Sequence, residues 1–239
     1  VLQGEILINL DSETEGELYV GCAGGIDFSA SFQYKEEAVP AGMAAFRLAI
    51  KGLKGGHSGM DINLGRGNSN KLLFRFLKTY AKDLGLRIAN ILGGSLRNAI
   101  PRESFATVVL PAENAEKLQA AVKEAEAIFQ AELSAKEPTL SVSAEATEMP
   151  SFVIDSCSQF RITNAILACP NGPVRMIDSM PGTVETSNNL AIVQSKDGKI
   201  IVKSLLRSSV ETAKDALAQS IRAVFELAEA DEINFEGGY

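Results

Sequence analysis

The chain has 239 residues, 46% of them hydrophobic and 22% charged, a composition typical of a globular protein with one large or two small cores. The formal net charge is −7, and the 23 basic residues are scattered, which argues against nucleic-acid binding because phosphates require clustered Lys and Arg. No apolar run approaches the roughly 20 residues of a membrane span, and the amino-terminal VLQGEILINL does not resemble a signal sequence. We therefore expect a soluble protein whose partners are small molecules or proteins.

The three cysteines are odd in number and show no CxxC spacing. They predict neither a disulfide framework nor a structural zinc site. A reducing cytoplasm is the compartment that suits them best, so we expect a cytoplasmic protein.

The first predicted element is a buried strand at residues 5–10, because EILINL is short and aliphatic and precedes the acidic turn DSETEGE. Asp11 then lies at the carboxyl end of a strand, the place where ligands collect in α/β sheets. A solvated acidic loop explains the same spacing equally well.

Alternating apolar and polar residues predict two further strands, at residues 26–34 and 45–53, arranged as a hairpin-like pair. A helix is expected next, capped by Asn68 or Asn70 and continuing to about Leu84, because large apolar residues recur there at helical spacing.

The order strand, strand, helix, strand is then predicted twice, at residues about 86–145 and about 184–236. Between these halves we expect a helix at 155–168, capped by Asp155 or Ser156, and a loop at 170–182. Each half buries one face of its sheet under a helix. The sequence therefore predicts an α+β fold in which the two halves form one sheet with helices layered on one face.

The chain contains a single histidine, His57, in the segment KGGHSG. A lone histidine is by default a surface residue or a satisfied core residue. Glycines on both sides, however, permit positive φ and let a ligand approach the backbone. One histidine with scattered acids does not make a zinc site, so donation of a hydrogen bond to an oxyanion or carboxylate is the functional alternative.

Asn98 and Arg207 are two further candidates, and each has an ordinary structural explanation. Asn98 lies in GGSLRNAIP, where Gly, Asn and Pro are typical of a turn, although its amide is also a donor for a substrate carbonyl. Arg207 stands at the end of a strand before a helix, where a guanidinium can bind a carboxylate bidentately or form a surface ion pair. Phosphate-loop, dinucleotide-binding and serine-hydrolase motifs are missing from the sequence.

Several segments in order resemble the bacterial aminoacyl-histidine dipeptidases, or Xaa-His dipeptidases, which are zinc metallopeptidases related to carnosinases. The resemblance is carried by the segments LINLDSETEGELYVGCAGGIDF, AVPAG, LKGGHSG, GNSNKLL, GGSLRNAIPRESFAT, GTVETSNNLAIV and LLRSS. It weakens in the helix at 112–135 and at 139–182.

The resemblance implies a catalytic domain with two divalent metal ions, expected to be zinc, and an inserted lid domain that closes over a dipeptide. It makes Asp11 the counterpart of a metal ligand. His57 would bind substrate and stabilise the tetrahedral intermediate, Asn98 would also bind substrate, and Arg207 would bind the terminal carboxylate. It also implies a homodimer.

The other metal ligands and the catalytic glutamate of that family have no counterpart in this chain. We therefore expect a fragment, with residues 1–24 forming the end of a catalytic domain and residues 25–239 forming the lid or dimerisation domain. We expect the fragment alone to be inactive and to bind metal poorly. A non-catalytic dimerisation or assembly module is the alternative function.

Overall fold

The computed structural model describes residues 15–16 and 22–238. Asp11 and the strand predicted at residues 5–10 lie outside the described residues. The described part forms short and long strands interleaved with four α-helices.

The strands are, in chain order, β1 Gly24–Gln33, β2 Glu36–Glu37, β3 Met43–Lys51, β4 Gly56–His57, β5 Arg87–Gly93, β6 Ala99–Ile100, β7 Ser104–Pro111, β8 Ser141–Ala146, β9 Val153–Ile154, β10 Gly172–Met176, β11 Val184–Lys196, β12 Lys199–Ser208 and β13 Glu232–Glu236. The helices are α1 Ser69–Leu84, α2 Ala115–Leu133, α3 Ser156–Ala168 and α4 Glu211–Leu227. A single 3-10 turn at Ala112–Asn114 leads into α2.

Eight strands form one antiparallel sheet in the order β13-β1-β12-β11-β5-β7-β3-β8. β10 pairs with the first part of β11, on the edge that β5 pairs with further along. The sheet consists of two equivalent sets of four strands that meet where Val193 of β11 pairs with Gly93 of β5. We call β3, α1, β5, β7, α2 and β8 the first unit, and β1, α3, β11, β12, α4 and β13 the second unit. In each unit the strand that comes first in the chain lies in the sheet between the strands that come third and fourth in the chain.

All four helices and one face of the sheet contribute to the main hydrophobic core, in which Phe28, Leu48 and Phe225 are almost completely buried. Burying each such side chain stabilises the fold by roughly 1.5–3 kcal/mol. The predicted α+β fold, with two halves forming one sheet under helices, is confirmed.

Helices α1 and α3 begin at the caps that the sequence predicts. The side chain of Asn68 accepts a hydrogen bond from the backbone N–H of Lys71, and Asp155 accepts one from Ser158. Each cap satisfies an N–H that the first helical turn leaves without a partner.

Two expectations about the strands are wrong. β1 and β3 do not form a hairpin, because the chain leaves β1 through β2, which pairs with β9, and β3 joins the opposite half of the sheet. The predicted loop at 170–182 contains β10, where Pro173 is tolerated because a strand paired on one side does not need every N–H.

Candidate functional site

His57 lies in β4, directly after two glycines whose φ angles are positive. At Gly56, with φ of 146°, a Cβ atom would lie 2.2 Å from Nη1 of Arg66 and 2.5 Å from Oδ2 of Asp61. Glycine is therefore required here both by the backbone and by the charged side chains that pack against it.

The imidazole of His57 is exposed, and its Nδ1 atom is already engaged. Nδ1 accepts hydrogen bonds from the backbone N–H groups of Gly59, at 3.2 Å, and Met60, at 3.1 Å. In a neutral imidazole an accepting Nδ1 assigns the proton to Nε2. His57 therefore presents a hydrogen-bond donor on its free side.

An ion pair holds the backbone on which His57 sits. Asp61 accepts a 2.8 Å hydrogen bond from the backbone N–H of His57 and lies 3.2 Å from Arg66, which in turn donates to the carbonyl of Gly55. Both side chains are about one-quarter exposed. The sequence offered no reason to single out Asp61 or Arg66, because an acid and a base five residues apart in a loop are common.

A buried glutamate binds both ends of the loop that carries His57. Glu137 has no exposed surface, and its carboxylate accepts from the N–H of Lys54, at 2.7 Å, and from that of Gly67, at 2.9 Å. These two residues are the ends of the loop that contains β4. Glu137 was missed by sequence reasoning because nothing in the chain at residue 137 indicates contact with residues 54 and 67.

Asn98 lies in the β5–β7 connection, next to the short strand β6. Its backbone carbonyl accepts a 2.9 Å hydrogen bond from the N–H of Ser58, and Ala99 pairs with His57. The side chain of Asn98 is exposed. The loop that carries Asn98 and the loop that carries His57 are therefore joined through their main chains.

Arg207 stands near the end of β12, between Gly25 of β1 and Ser187 of β11. A Cβ atom on Gly59 would lie 2.3 Å from Nη1 of Arg207 and 3.3 Å from Cε1 of His57, so the guanidinium and the imidazole flank the same glycine. Among the described residues Arg207 forms no ion pair with Asp or Glu.

The structure therefore places His57 and Arg207 side by side, with Asn98 in the adjoining loop. Each of these side chains offers N–H donors, and the guanidinium adds a permanent positive charge. Such a set suits an anionic or carbonyl oxygen. The particular roles assigned to the three residues stay predictions.

Buried asparagines form a hydrogen-bond network between β11, the start of α1 and the segment that follows α3. Asn68 donates to the side chain of Asn171 and to the carbonyl of Leu190, and Asn188 donates to the carbonyl of Pro170 at 2.6 Å. Buried amides in such networks fix one arrangement of the chain, because an unpaired amide in the core is costly.

Lys71 and Cys169 adjoin the same network. The Lys71 ammonium donates to three carbonyls at the end of α3, and burial lowers its pKa. Burial raises the pKa of the Cys169 thiol to about 12, although the nearby Lys71 opposes the shift. The thiol is therefore neutral near pH 7 and unsuited to act as a nucleophile or metal ligand.

The donors needed for a zinc site are not gathered in the part of the chain that the structure describes. Three or more His, Cys, Asp or Glu side chains placed to hold a metal ion do not occur there. The single histidine already uses Nδ1 as an acceptor, and Asp11 lies outside the described residues. The described residues therefore do not fit a metal ion.

Residues 48–137 match the peptidase dimerisation domain family. The chain is 43% identical over 229 residues to the cytosol non-specific dipeptidase of Escherichia coli, a match that covers 96% of this chain and 47% of the relative. It also superimposes on the crystal structure of aminoacylhistidine dipeptidase from Vibrio alginolyticus with a TM-score of 0.92 and 45% identity, covering 100% of this chain and 48% of that one.

This chain is a homologue of those dipeptidases. The resemblance inferred from the sequence segments is confirmed, and the chain spans about half the length of these two dipeptidase relatives. The region that matches the peptidase dimerisation domain lies entirely within the span of the first unit, residues 43–146.

None of the helices in the described part of the chain is both long enough and apolar enough to cross a membrane.

Proposed function

We propose that this chain is the lid portion of a metal-dependent dipeptidase that acts on Xaa-His dipeptides, and that His57, Asn98 and Arg207 hold the substrate. The observation that carries the proposal is the approach of the Arg207 guanidinium and the His57 imidazole to the same glycine, Gly59. The homology to two dipeptidases supplies the reaction class. The complete protein is expected to be a cytoplasmic homodimer.

The three side chains have distinct parts in this proposal. Arg207 binds the free carboxylate of the dipeptide with two parallel N–H donors, which restricts the site to short substrates. The Nε2–H of His57 donates to the oxygen on which negative charge develops during hydrolysis. Asn98 donates to a substrate carbonyl and so orients the peptide bond.

Two divalent ions, proposed to be zinc, would supply Lewis-acid chemistry to the complete enzyme. We assign their donors to Asp11 and to residues beyond this chain. We expect the chain alone to hydrolyse nothing.

Exposed apolar side chains around the site support a lid role. Met60 is 73% exposed, Leu96 61% and Met180 56%, and all three lie in loops at the end of the sheet where His57 and Arg207 meet. Asn63 links two of these loops by donating to the carbonyl of Gly182 at 2.8 Å. Large exposed apolar groups in neighbouring loops are typical of a surface that another part of the protein or a ligand covers.

The proposal is tested in the complete polypeptide with a Xaa-His dipeptide and with its carboxamide, which lacks the terminal carboxylate. Arg207→Ala should lower kcat/KM for the dipeptide by about 10- to 100-fold and leave the carboxamide rate nearly unchanged. His57→Ala should lower kcat by roughly 100-fold or more for both substrates. Arg222→Ala, in an exposed arginine of α4, is the matched control and should have no effect.

Gly59→Ala is a further test of the site. Gly59 does not have a positive φ, so its replacement by alanine introduces no backbone strain. The added methyl group would collide with the Arg207 guanidinium, so binding of the dipeptide should weaken while the fold persists. Unchanged kinetics in Arg207→Ala and His57→Ala would contradict the substrate role.

The match of residues 48–137 to a peptidase dimerisation domain favours a second function, assembly of the enzyme into a homodimer. Analytical sedimentation of the same variants reports whether the dimer is intact, and so distinguishes the substrate-binding role from the dimerisation role. Loss of activity with an intact dimer supports the substrate role, whereas full activity in every variant would leave the lid as scaffold only.

A further inference from the structure

We propose that Asn189 is a positioning residue for the candidate site, holding the loop that carries Asn98 in fixed register with the strand that carries Arg207. The inference rests on the proposed function, because it concerns the geometry of the same site. Asn189 lies in β11 and is 1% exposed, so it acts on the site through its neighbours.

The amide of Asn189 binds the backbone on both sides of Asn98. Its Nδ2 atom donates to the carbonyl of Ala99 at 2.8 Å and to that of Arg97 at 3.2 Å. Both hydrogens of one amide group are used, and they hold the peptide unit that joins residues 97 and 98 and the one that joins residues 99 and 100.

The carbonyl of Asn98 itself is fixed from the other loop. It accepts from the N–H of Ser58, the residue after His57. Residues 97–99 are therefore held between β11 on one side and the His57 loop on the other, and Asn189 is the side chain that ties this segment to the sheet.

Asn189 also shares its sheet face with Arg207. Ser187 is the cross-strand neighbour of Arg207, and Asn189 is two residues further along β11, opposite Leu205. Because side chains two residues apart point to the same face of a sheet, Asn189 lies on the Arg207 side. A short chain of main-chain and amide contacts thus connects Arg207, Asn98 and His57.

The second tether on this loop is weaker. Arg97 forms an ion pair of 2.9 Å with Asp27, but the side chains are 54% and 33% exposed. Exposed ion pairs are screened by water and salt and contribute little. The buried amide is therefore the main anchor.

An asparagine at this position is not explained by packing alone. The Oδ1 atom of Asn189 is buried and has no hydrogen-bond partner among the described residues, which is unfavourable. Leucine is close in shape and would remove that unsatisfied oxygen. The two donors are therefore what the asparagine supplies, and Asn189→Leu removes them with little change of volume.

Asn188 provides a matched control in the same strand. It is equally buried, its Oδ1 atom is likewise unpaired, and its amide donates to the carbonyl of Pro170. It faces the helices rather than the site. Asn188→Leu thus removes the same chemistry one residue away without touching the loop at 97–99.

The first test is amide hydrogen exchange in the complete polypeptide. In Asn189→Leu the N–H of Ser58 should exchange about tenfold faster or more, because its acceptor is no longer held in place. Asn188→Leu should leave that rate unchanged. Thermal unfolding of each variant checks the fold, and Asn189→Ser, which keeps one shorter donor, should give an intermediate rate. Unchanged Ser58 exchange in Asn189→Leu would overturn the inference.

The second test is a double-mutant cycle on kcat/KM. Asn189→Leu alone should lower activity by about 10- to 100-fold, since small displacements of positioning groups have effects of that size. In the Asn98→Ala background the same substitution should lower it by less than about threefold, because a residue that acts through Asn98 adds little once Asn98 is gone. A general loss of stability would give additive effects instead, and additivity would overturn the inference.

The two proposals fail in different ways. If Asn98→Ala and His57→Ala retain full activity, the proposed function fails, and the role of Asn189 in the reaction fails with it. If those variants lose activity while Asn189→Leu retains it, the inference about Asn189 alone is overturned.

Discussion

The two units share one strand order but differ in how their strands are connected. In the first unit, β5 and β7 are joined by residues 94–103, which contain Asn98 and β6, and β3 is followed by the loop that contains His57. In the second unit the equivalent strands, β11 and β12, are joined by the two-residue turn Asp197-Gly198. The same scaffold thus carries long connections where the candidate site lies and a minimal turn where it does not.

The long connections of the first unit are held by buried polar side chains from elsewhere in the chain, whereas the short β11–β12 turn is not. Glu137 closes the ends of the His57 loop, and Asn189 of the second unit binds the Asn98 loop. The tight turn has its own hydrogen-bonded strands and requires no such support. The difference indicates that shaping a site in this fold depends on buried polar groups far away in sequence.

A large effect on stability is expected at Glu137. Replacing it with Ala leaves the N–H groups of Lys54 and Gly67 without their acceptor, so the free energy of unfolding should fall by about 2–5 kcal/mol. Glu137→Gln keeps one carbonyl oxygen and should lose about half as much. Urea denaturation measures both. A loss below about 1 kcal/mol in Glu137→Ala would show that the loop does not depend on this anchor.

A pair of glycines compares the loop and the turn directly. Gly52 and Gly198 have similar φ angles, 77° and 73°, but a Cβ on Gly52 would lie 1.9 Å from the carbonyl oxygen of Thr139, whereas Gly198 has open space. Both alanine variants carry the cost of left-handed backbone, about 1–2 kcal/mol. Gly52→Ala should lose roughly 1–3 kcal/mol more because backbone must move. Equal unfolding midpoints would remove the distinction between the two connections.

The smallest effect concerns the caps of the equivalent helices, Asn68 on α1 and Asp155 on α3. Loss of the cap should lower stability by about 1 kcal/mol at pH 7 in each alanine variant, and Asn68→Ala should lose more because the buried Asn68 amide also donates to a neighbouring side chain and to a backbone carbonyl. Burial alone would raise the pKa of Asp155, but hydrogen bonds from the N–H groups of Ser158 and Lys35 outweigh it and hold the pKa below its usual range.

Only the Asp155 cap should therefore depend on pH. A carboxyl group with a lowered folded pKa stabilises fully above its unfolded pKa of about 3.9, and this stabilisation is lost as pH falls through the folded value. Denaturation at pH 7 and pH 3 should show the effect of Asp155→Asn shrinking in acid, while that of Asn68→Ala stays constant. A parallel decline in both would contradict this assignment.

Local sequence patterns were sufficient to predict the strands and helices of both units, but not to predict which strands pair with each other in the sheet. The caps at Asn68 and Asp155 and the repeated order of strands and helix follow from residues close together in the chain. The hairpin expected of β1 and β3 was wrong because adjacency in sequence does not decide which strands pair. β10 was missed because Gly172 and Pro173 are typical of a loop.

The candidate site shows the same limit. The glycines around His57 indicated a shaped loop, and the position of Asn98 in a turn and of Arg207 at a strand end made them candidates. Family resemblance supplied the roles expected of all three residues. Glu137 and Asn189 gave no signal, because a buried polar side chain is recognised only when the backbone groups that it satisfies are known. Their contacts span 70 to 92 residues of sequence.

The split second unit has a consequence for how the chain folds. β1 pairs with β12 and β13, so Gly24 meets Ser208 and Ser31 meets Glu232 across nearly the whole sequence, whereas the first unit is continuous. During synthesis the first unit is complete long before β12 emerges from the ribosome. β1 must wait with its hydrogen-bonding edges unpaired, which makes its docking a late, non-local step and a point of vulnerability to aggregation.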